Sequence, residues 1–392
     1  MVMDSSLPPL PLPSIITERQ VQSDASELSY HILEAGSTPA RNRPLLLLLH
    51  GFPEIAYSWR KVMPQLADAG YYVVAFDQRG FGRTTGWDTT EFGKADLRTF
   101  SMTSLVRDVI VLVYALGYKH VKCVVGHDYG AVTASMCALA RPDFFQGVVL
   151  MSHPFKGSPS LPFNIANENS QDNDGSKPDI HKDLANLSEP RKHYKWYYST
   201  LSANEEMTNP GEGLHDFLRG YFHLKSADWK GNKPHPLTAW TATELAKMPY
   251  YYIMPLNTGM RAVVANDMAH EDHREVEEKN SRWLPDADLR VYAQEYGRTG
   301  FQGGLNWYRV QTDPGKLKEL DMFAGKKIEI PCLFISGTKD WGIYQEPGVV
   351  ERMSEVCSDF RGVSMIEHAG HWVQQEQPQR VVEEVLGLLR SL

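Results

Sequence analysis

Apolar and polar positions alternate along the first part of the chain in a pattern that predicts strands separated by helices. Continuous apolar runs, of the kind that a buried parallel strand needs, occur at Leu45–Leu49 and Tyr71–Phe76. Met102–Leu116 instead carries apolar residues at helical spacing, with Ser101 as the candidate N-cap and Gly117 as the candidate stop. Further strands are predicted at Leu28–Glu34, Val121–Val125 and Val148–Ser152. Alternation of this kind favours a parallel sheet with right-handed crossovers.

The alternation stops near His153-Pro154, and strand patterns return only after Pro331. The residues between are rich in Trp, Tyr, Pro and charge, with helical patches at Pro190–Leu201 and His215–Leu224 and a polar, loop-like stretch at Asn164–Pro178. Strands are then predicted at Cys332–Ser336 and Val363–Ile366, and a final helix at Gln379–Leu389. We therefore expect a sheet domain interrupted by a mainly helical cap. The predicted divisions are a core with an N-terminal arm at 1–153, the cap at 154–310 and the rest of the core at 311–392.

Composition narrows the class of protein. The 392 residues are 42% hydrophobic and 22% charged, as in a soluble globular protein. A net charge of −8 gives no reason to expect nucleic-acid binding, and no apolar run approaches the length of a membrane span. The N-terminus lacks the pattern of a signal peptide. The four cysteines show no metal-ligand spacing and suggest buried thiols in a reducing compartment, so a cytoplasmic location is expected.

The pentapeptide Gly126–Gly130 carries the strongest chemical signal. It follows an apolar run and opens a run of helix formers, and small residues flank its central Asp128. This is the pattern of the nucleophile elbow of the α/β-hydrolases, in which glycines permit a tight turn. Most such elbows hold serine. A carboxylate is already ionised at neutral pH, so it can attack a saturated carbon and form an ester of the enzyme.

An aspartyl ester must be hydrolysed, which requires a base to activate water and an acid to orient the base. In this fold the acid and then the histidine follow the nucleophile along the chain, each after a strand. Asp340 and His371 match that order and those positions. His368, three residues before His371, is the rival base. Singly, each of these residues has an ordinary structural explanation, and their joint occurrence at three strand ends carries the prediction.

A loop after the leucine-rich strand offers backbone donors for an oxyanion. It contains His50-Gly51-Phe52-Pro53-Glu54. In this fold the oxyanion hole combines an amide from such a loop with the amide of the residue after the nucleophile. The candidates are the backbone amides of Phe52 and Tyr129.

Four segments together resemble the soluble epoxide hydrolases of the α/β-hydrolase fold, of the cap-bearing kind found in microbes and plants. They are His50–Glu54, Asp77-Gln78-Arg79-Gly80-Phe81-Gly82, the elbow, and Gly370-His371-Trp372. The resemblance extends from about Ile15 to the end of the chain. It implies an α/β fold with a mostly parallel eight-stranded sheet, flanking helices and an inserted helical cap. It also implies addition of water to a small apolar epoxide, giving a vicinal diol without a cofactor or metal.

The resemblance further implies two cap tyrosines that hydrogen-bond the epoxide oxygen. Leu305–Arg309 is similar to the segment of the second tyrosine and indicates Tyr308. His193–Tyr198 is similar to the segment of the first and indicates Tyr194, with Tyr197 and Tyr198 as alternatives. Lys195 stands where the family usually has Gln. Two aromatic residues of the cap, Trp196 and Trp307, are expected to contact the substrate.

Three other functions share some of these features. Haloalkane and haloacid dehalogenases also use an aspartate elbow, but those resembling them usually carry Trp or Arg where this chain has Tyr129. A specialised biosynthetic hydrolase fits the same residues. A hydrolase-derived binding protein is the remaining alternative, although such proteins often lose catalytic residues that are all present here. The sequence leaves the choice between monomer and homodimer open.

Overall fold

The computed structural model describes residues 7–160, 179–208 and 213–392. Its strands are β1 Thr17–Gln22, β2 Ser29–Ala35, β3 Leu45–Leu49, β4 Tyr72–Phe76, β5 Cys123–His127, β6 Val148–Met151, β7 Arg191–His193, β8 Ile253–Pro255, β9 Cys332–Gly337 and β10 Phe360–Ile366. Eight of them form one sheet in the order β1-β2-β4-β3-β5-β6-β9-β10. The pairs β1–β2 and β2–β4 are antiparallel, and all the other pairs of this sheet are parallel. The predicted fold class is confirmed.

Helices cover both faces of the sheet, and nine of the α-helices in the described residues lie between β6 and β9. They are α1 Met63–Asp68, α2 Met102–Ala115, α3 Tyr129–Ala140, α4 Ile180–Ala185, α5 Tyr194–Tyr198, α6 Ser202–Thr208, α7 Gly213–Lys225, α8 Ala242–Leu245, α9 Met260–Met268, α10 His273–Asn280, α11 Asp286–Thr299, α12 Gln302–Gln311, α13 Met353–Val356, α14 Val373–Glu376 and α15 Pro378–Leu389. Short 3-10 helices lie at Ala56–Trp59, Leu97–Phe100, Lys318–Phe323 and Trp341–Tyr344. Among the described residues, none of these helices is long and apolar enough to cross a membrane.

The leucine run of β3 explains why the sheet is covered on both sides. All five leucines are buried. Because side chains alternate along a strand, Leu45, Leu47 and Leu49 join one hydrophobic cluster while Leu46 and Leu48 join another. The first cluster includes residues of α2, α3 and the cap, and the second includes residues of α1 and α15. The cap and the core therefore share one continuous apolar interior.

Helix α2 follows its sequence signals closely. The Ser101 side chain accepts a hydrogen bond from the Ser104 amide and caps the first turn. The buried residues include Leu105, Val109 and Leu112, which line the side toward the sheet. Gly117 adopts a φ of 84°, a left-handed conformation that favours glycine and lets the chain leave the helix.

The cap touches the core backbone to backbone at two glycines. Gly80, in the loop after β4, has a φ of 89°, and a Cβ built on it would lie 2.7 Å from the carbonyl carbon of Gly303 in α12. A Cβ on Gly303 would likewise overlap the Gly80 carbonyl oxygen. Further along α12, Trp307 Nε1 donates to the Arg79 carbonyl oxygen at 2.9 Å. Helix α12 is thus held directly against the loop after β4.

Two predictions of secondary structure need correction, and a third is not tested. The predicted helix at Pro190–Leu201 is wrong at its start, because β7 pairs there with β8, a partner that local periodicity cannot reveal. The strand predicted at Val121–Val125 lies two residues later, at β5. The polar stretch Asn164–Pro178 falls outside the described residues.

Candidate active site

The sharp turn at Asp128 joins β5 to α3. Asp128 has φ of 52° and ψ of −120°, a conformation that few residues other than glycine adopt. A Cβ on Gly126 would overlap the Gly130 carbonyl oxygen, and one on Gly130 would overlap the Leu49 carbonyl oxygen. Only glycine fits at either position, so the predicted elbow exists and presents the Asp128 carboxylate beyond the end of the sheet.

His371 lies between two carboxylates. Its Nδ1 is 3.1 Å from both oxygens of Asp340, and its Nε2 is 3.4 Å from Asp128 Oδ2. Among the described residues, Nε2 has no hydrogen-bond partner. All three side chains are nearly inaccessible to bulk solvent. The structure therefore brings together the predicted acid, base and nucleophile, whereas the rival base His368 is exposed.

The charges at this site shift pKa values in opposite directions. Burial alone would lower the pKa of His371, but the charge of Asp340 and the interaction with Asp128 outweigh it and raise that pKa to about 9. Burial alone would raise the pKa of Asp128, but His371 holds it well below its usual value. Asp340 is held below its usual pKa in the same way, with help from the Gly342 amide. Asp128 is therefore an anion at neutral pH.

The loop after β3 donates to the nucleophile. The Phe52 amide is 3.0 Å from Asp128 Oδ1. Tyr129 begins α3, so its amide belongs to the first turn, where amides have no partner within the helix. The Tyr129 side chain turns away, and its hydroxyl donates to the Trp307 carbonyl oxygen at 2.9 Å.

Two buried residues that the sequence did not identify as functional connect the elbow to the His371 loop. His127 Nδ1 is 2.7 Å from Glu54 Oε2, and His127 Nε2 is 2.7 Å from the His371 carbonyl oxygen. Glu54 also accepts hydrogen bonds from the side-chain amides of Gln374 and Gln375. Both His127 and Glu54 belong to the quoted motifs, but only the folded chain shows that they form one network.

The three candidate tyrosines of α5 occupy different surroundings. The ring of Tyr194 is 6.0 Å from that of Tyr308, edge to face. Tyr197 donates to Glu206 at 2.6 Å, and the hydroxyl of Tyr198 is 3.0 Å from that of Tyr221. Burial, together with the charge of Asp128, raises the pKa of both Tyr194 and Tyr308 well above its usual value. Both phenols therefore keep their protons near Asp128 at neutral pH.

A cavity of about 760 Å³ opens beside the elbow. Tyr129, His153 and Lys195 lie on its wall, whereas Asp128, His371 and Tyr308 do not. Much of the remaining lining is apolar: Met102, Val132, Met136, Phe155, Leu317 and Leu320. The cavity therefore reaches the residue next to the nucleophile rather than the carboxylate itself.

The two tryptophans expected to contact substrate differ in position. Trp196 lines the cavity. Trp307 does not: it is 1% exposed, and its ring packs edge to face on Phe81 and Tyr129. The contacts of Trp307 are those of a residue that fixes α12 on the core.

Comparisons with known proteins assign the family. The sequence model of the alpha/beta hydrolase fold matches residues 44–378. Epoxide hydrolase B of Mycobacterium tuberculosis is 33% identical over 369 residues, which are 91% of this chain and 95% of that protein. The chain belongs to the epoxide hydrolases. Epoxide hydrolase A of the same organism is 30% identical over 379 residues, covering 96% of this chain and 98% of that protein.

Solved structures of epoxide hydrolases have the same fold. Potato (Solanum tuberosum) epoxide hydrolase I superposes with a TM-score of 0.71 at 26% identity, over 96% of this chain and all of that chain. An epoxide hydrolase from an endophytic Streptomyces gives the same TM-score and identity over 96% of each chain. The similarity therefore includes both the sheet and the inserted helical segment.

Proposed function

We propose that this epoxide hydrolase adds water to a small apolar epoxide and releases a vicinal diol through an ester at Asp128. The observation that carries the mechanism is the carboxylate in the elbow, with one oxygen on the Phe52 amide and the other facing His371. A serine there would need a base before it could attack. An ionised carboxylate needs only a substrate carbon with a leaving oxygen.

In the first half-reaction an Asp128 oxygen attacks a ring carbon and the carbon–oxygen bond of the epoxide breaks. The leaving alkoxide is too basic to depart unaided at neutral pH. Tyr194 and Tyr308 would hydrogen-bond this oxygen and supply its proton, since burial keeps both phenols protonated. The charge of Asp128 is among the main influences on the pKa of Tyr194 and Tyr308 but not of Tyr197 or Tyr198, which supports Tyr194 as the first of the pair.

In the second half-reaction His371 takes a proton from water, and the resulting hydroxide attacks the ester carbonyl. The amides of Phe52 and Tyr129 would hold the oxyanion, and the ester bond then breaks to release the diol. The proton on His371 afterwards restores the tyrosine. Esterification removes the charge of Asp128, one of the groups that raise the pKa of His371. The pKa of His371 therefore falls, and a larger fraction of the enzyme holds a neutral His371 that can take a proton at the step that requires a base.

The substitution His371→Gln tests this sequence of steps. Ring opening does not need the histidine, so the variant should form the alkyl-enzyme and stop. Incubation with aryl, terpenoid and fatty-acid epoxides, followed by intact-protein mass spectrometry, should show a stoichiometric adduct of protein plus epoxide. Normal turnover would remove His371 from the mechanism.

Labelled water tests the nucleophile separately. After a single turnover in heavy-oxygen water, the label should enter the Asp128 carboxylate, because water attacks the ester carbonyl. Label found only in the diol would indicate direct attack of water on the epoxide. Release of chloride from a chloroalkane would instead indicate a dehalogenase, which the orientation of the Tyr129 hydroxyl toward Trp307 disfavours.

The remaining proposals concern organisation and location. We propose that residues 154–310 act as the cap and decide substrate range, while 1–153 and 311–392 supply the chemistry. Four buried free cysteines, Cys123, Cys137, Cys332 and Cys357, support a reducing and hence cytoplasmic location.

A further inference from the structure

Lys225, the last residue of α7, lies in a cage of aromatic rings next to the catalytic groups. It is 4% exposed. Its Nζ lies 4.5 to 5.9 Å from five ring centroids, those of Tyr194, Tyr221, Tyr251, Tyr252 and Trp372. Within residues 7–160, 179–208 and 213–392, no carboxylate oxygen lies within ion-pair distance of this Nζ. Aromatic faces stabilise an ammonium group without cancelling its charge, as a carboxylate would. The positive charge of Lys225 can therefore still act on the titratable groups near it.

The backbone of Lys225 is joined to the loop of the catalytic histidine. Its carbonyl oxygen accepts the His371 amide at 2.8 Å. A Cβ on Gly370 would come within 2.5 Å of the same oxygen, so glycine is needed for this approach. The end of α7 and the His371 loop are thus held together, and Lys225 cannot move away independently of the histidine.

Several charged or titratable groups face His371. They are Asp128 on the elbow, Asp340 after β9, His127 on β5, Lys225 on α7 and Glu376, which accepts the amides on either side of His371. His127 and Lys225 differ in what surrounds them. His127 is in contact with the Glu54 carboxylate, whereas five aromatic rings surround the Lys225 ammonium group. Lys225 lowers the pKa of Asp128 and opposes the rise in the pKa of His371.

We propose that Lys225 is a positioning residue for hydrolysis of the ester, whose uncompensated charge disfavours a second positive charge on His371. The proposal rests on the proposed function. In the resting enzyme the Asp128 carboxylate balances Lys225. Once Asp128 is esterified that balance is lost, and the ammonium group acts on His371 against Asp340 alone. Lys225 thus keeps His371 neutral after alkylation, so that the ring is free to act as the base that activates the hydrolytic water.

The test compares the two half-reactions over a range of pH. Lys225→Met and Lys225→Gln remove the charge, Lys225→Arg keeps it, and Lys230→Met removes an exposed lysine paired with Glu275 as a matched control. Single-turnover rates of alkylation and of ester hydrolysis are measured with styrene oxide from pH 5 to pH 10. A unit charge acting through a partly buried site shifts a titration by about one pH unit.

We expect the pH midpoint of ester hydrolysis to rise by about one unit in both uncharged variants, with alkyl-enzyme accumulating at pH 7. Alkylation should change by only about a few-fold, and Lys225→Arg and Lys230→Met should keep the midpoint of the parent enzyme. An unchanged midpoint in the uncharged variants would overturn the proposal. So would failure of both of them to fold while Lys225→Arg folds, because the charge would then serve only the structure.

Different results would contradict the proposed function and the role of Lys225. If His371→Gln gives no alkyl-enzyme, the proposed function itself is wrong. If that variant gives the adduct and the midpoint in Lys225→Met does not move, the mechanism stands and only the role of Lys225 is lost.

Discussion

The two sides of the active site hold their titratable groups by different means. On the core side, Asp128, His371 and Asp340 are ionisable groups fixed by short, directional contacts with one another and with backbone amides. On the cap side, Tyr194 and Tyr308 are buried among rings. The core contacts favour charged forms, whereas burial in the cap favours neutral phenols. One site thus holds an ionised carboxylate and protonated phenols at the same pH.

The core and cap sides also differ in the interactions that hold their side chains in place. On the core side, directional hydrogen bonds hold Asp128 on the Phe52 amide and His371 on Asp340. On the cap side, edge-to-face ring packing holds Tyr194 and Tyr308. Substitutions on the core side should therefore abolish steps, and those on the cap side should change how fast and for which substrate the steps run.

Removing the nucleophile should have the largest effect. Asp128→Ala eliminates the proposed nucleophile, so diol formation should fall by about four orders of magnitude or more. Asp143→Asn, which removes an exposed carboxylate paired with Arg141, is the matched control and should be neutral. The check is steady-state diol production, with circular dichroism to confirm folding. Substantial residual activity would place the chemistry elsewhere.

Breaking the buried network beneath the triad should cost stability. Glu54→Ala leaves His127, Gln374 and Gln375 without their carboxylate partner in a fully buried place. Leaving a buried polar group without its hydrogen-bond partner typically costs about 1–3 kcal/mol. Chemical denaturation should show that loss of unfolding free energy, while Glu91→Ala, at an exposed ion pair with Lys94, should be silent. A loss below about 1 kcal/mol would show that the network is dispensable.

Removing one cap hydroxyl should slow ring opening more than ester hydrolysis. Tyr308→Phe deletes one donor to the developing oxyanion, which costs about 2.7–4 kcal/mol, or roughly two to three orders of magnitude in the alkylation rate. Tyr194→Phe should act alike, and the double variant should lose nearly all ring opening. Tyr197→Phe removes a hydroxyl that is hydrogen-bonded to Glu206 and to the Met260 backbone, and it is the internal control. If Tyr197→Phe is damaging and Tyr194→Phe is silent in stopped-flow alkylation, the first tyrosine is misassigned.

Reshaping the cavity should give the smallest effect. Trp196→Leu changes its apolar wall without touching the triad, so preference among epoxides should shift by about 1–3 kcal/mol in kcat/KM. Trp307→Phe, behind the site, should mainly reduce stability, since it removes the bond to the Arg79 carbonyl oxygen. A panel of epoxides assayed with both variants separates the two. Equal shifts would show that Trp307 also shapes substrate choice.

The sequence predicts most of the core and its chemistry, because local signals dictate both. Residues within a single segment are enough to predict each element. The apolar runs predict β3 and β4, the capping serine predicts the start of α2, and the small residues predict the elbow. Asp340 and His371 follow because strand ends of a parallel sheet meet at one edge. Local signals do not reveal which strands pair when the strands are far apart in the sequence. The strand at Arg191–His193 exists only because Ile253–Pro255 lies beside it.

The same limit applies to the site. The sequence could not choose among Tyr194, Tyr197 and Tyr198, since the choice depends on which hydroxyls find partners such as Glu206 and Tyr221. The sequence analysis likewise did not predict the edge strand Thr17–Gln22, whose residues alternate between exposed and more covered positions. Lys225 carries no sequence signal at all, because its cage is assembled from α5, α7, the segment before β8 and the His371 loop.

The contact between Gly80 and Gly303 has a consequence for recombination. A cap transplanted from a relative fits this core only if the donor also has glycine where α12 meets the loop after β4. An alanine at either position would lift α12 and carry Tyr308 away from Asp128, whatever the quality of the donor cavity. A library of chimeras can therefore be sorted by these two positions before any clone is assayed, and this sorting should separate folded but inactive hybrids from active ones.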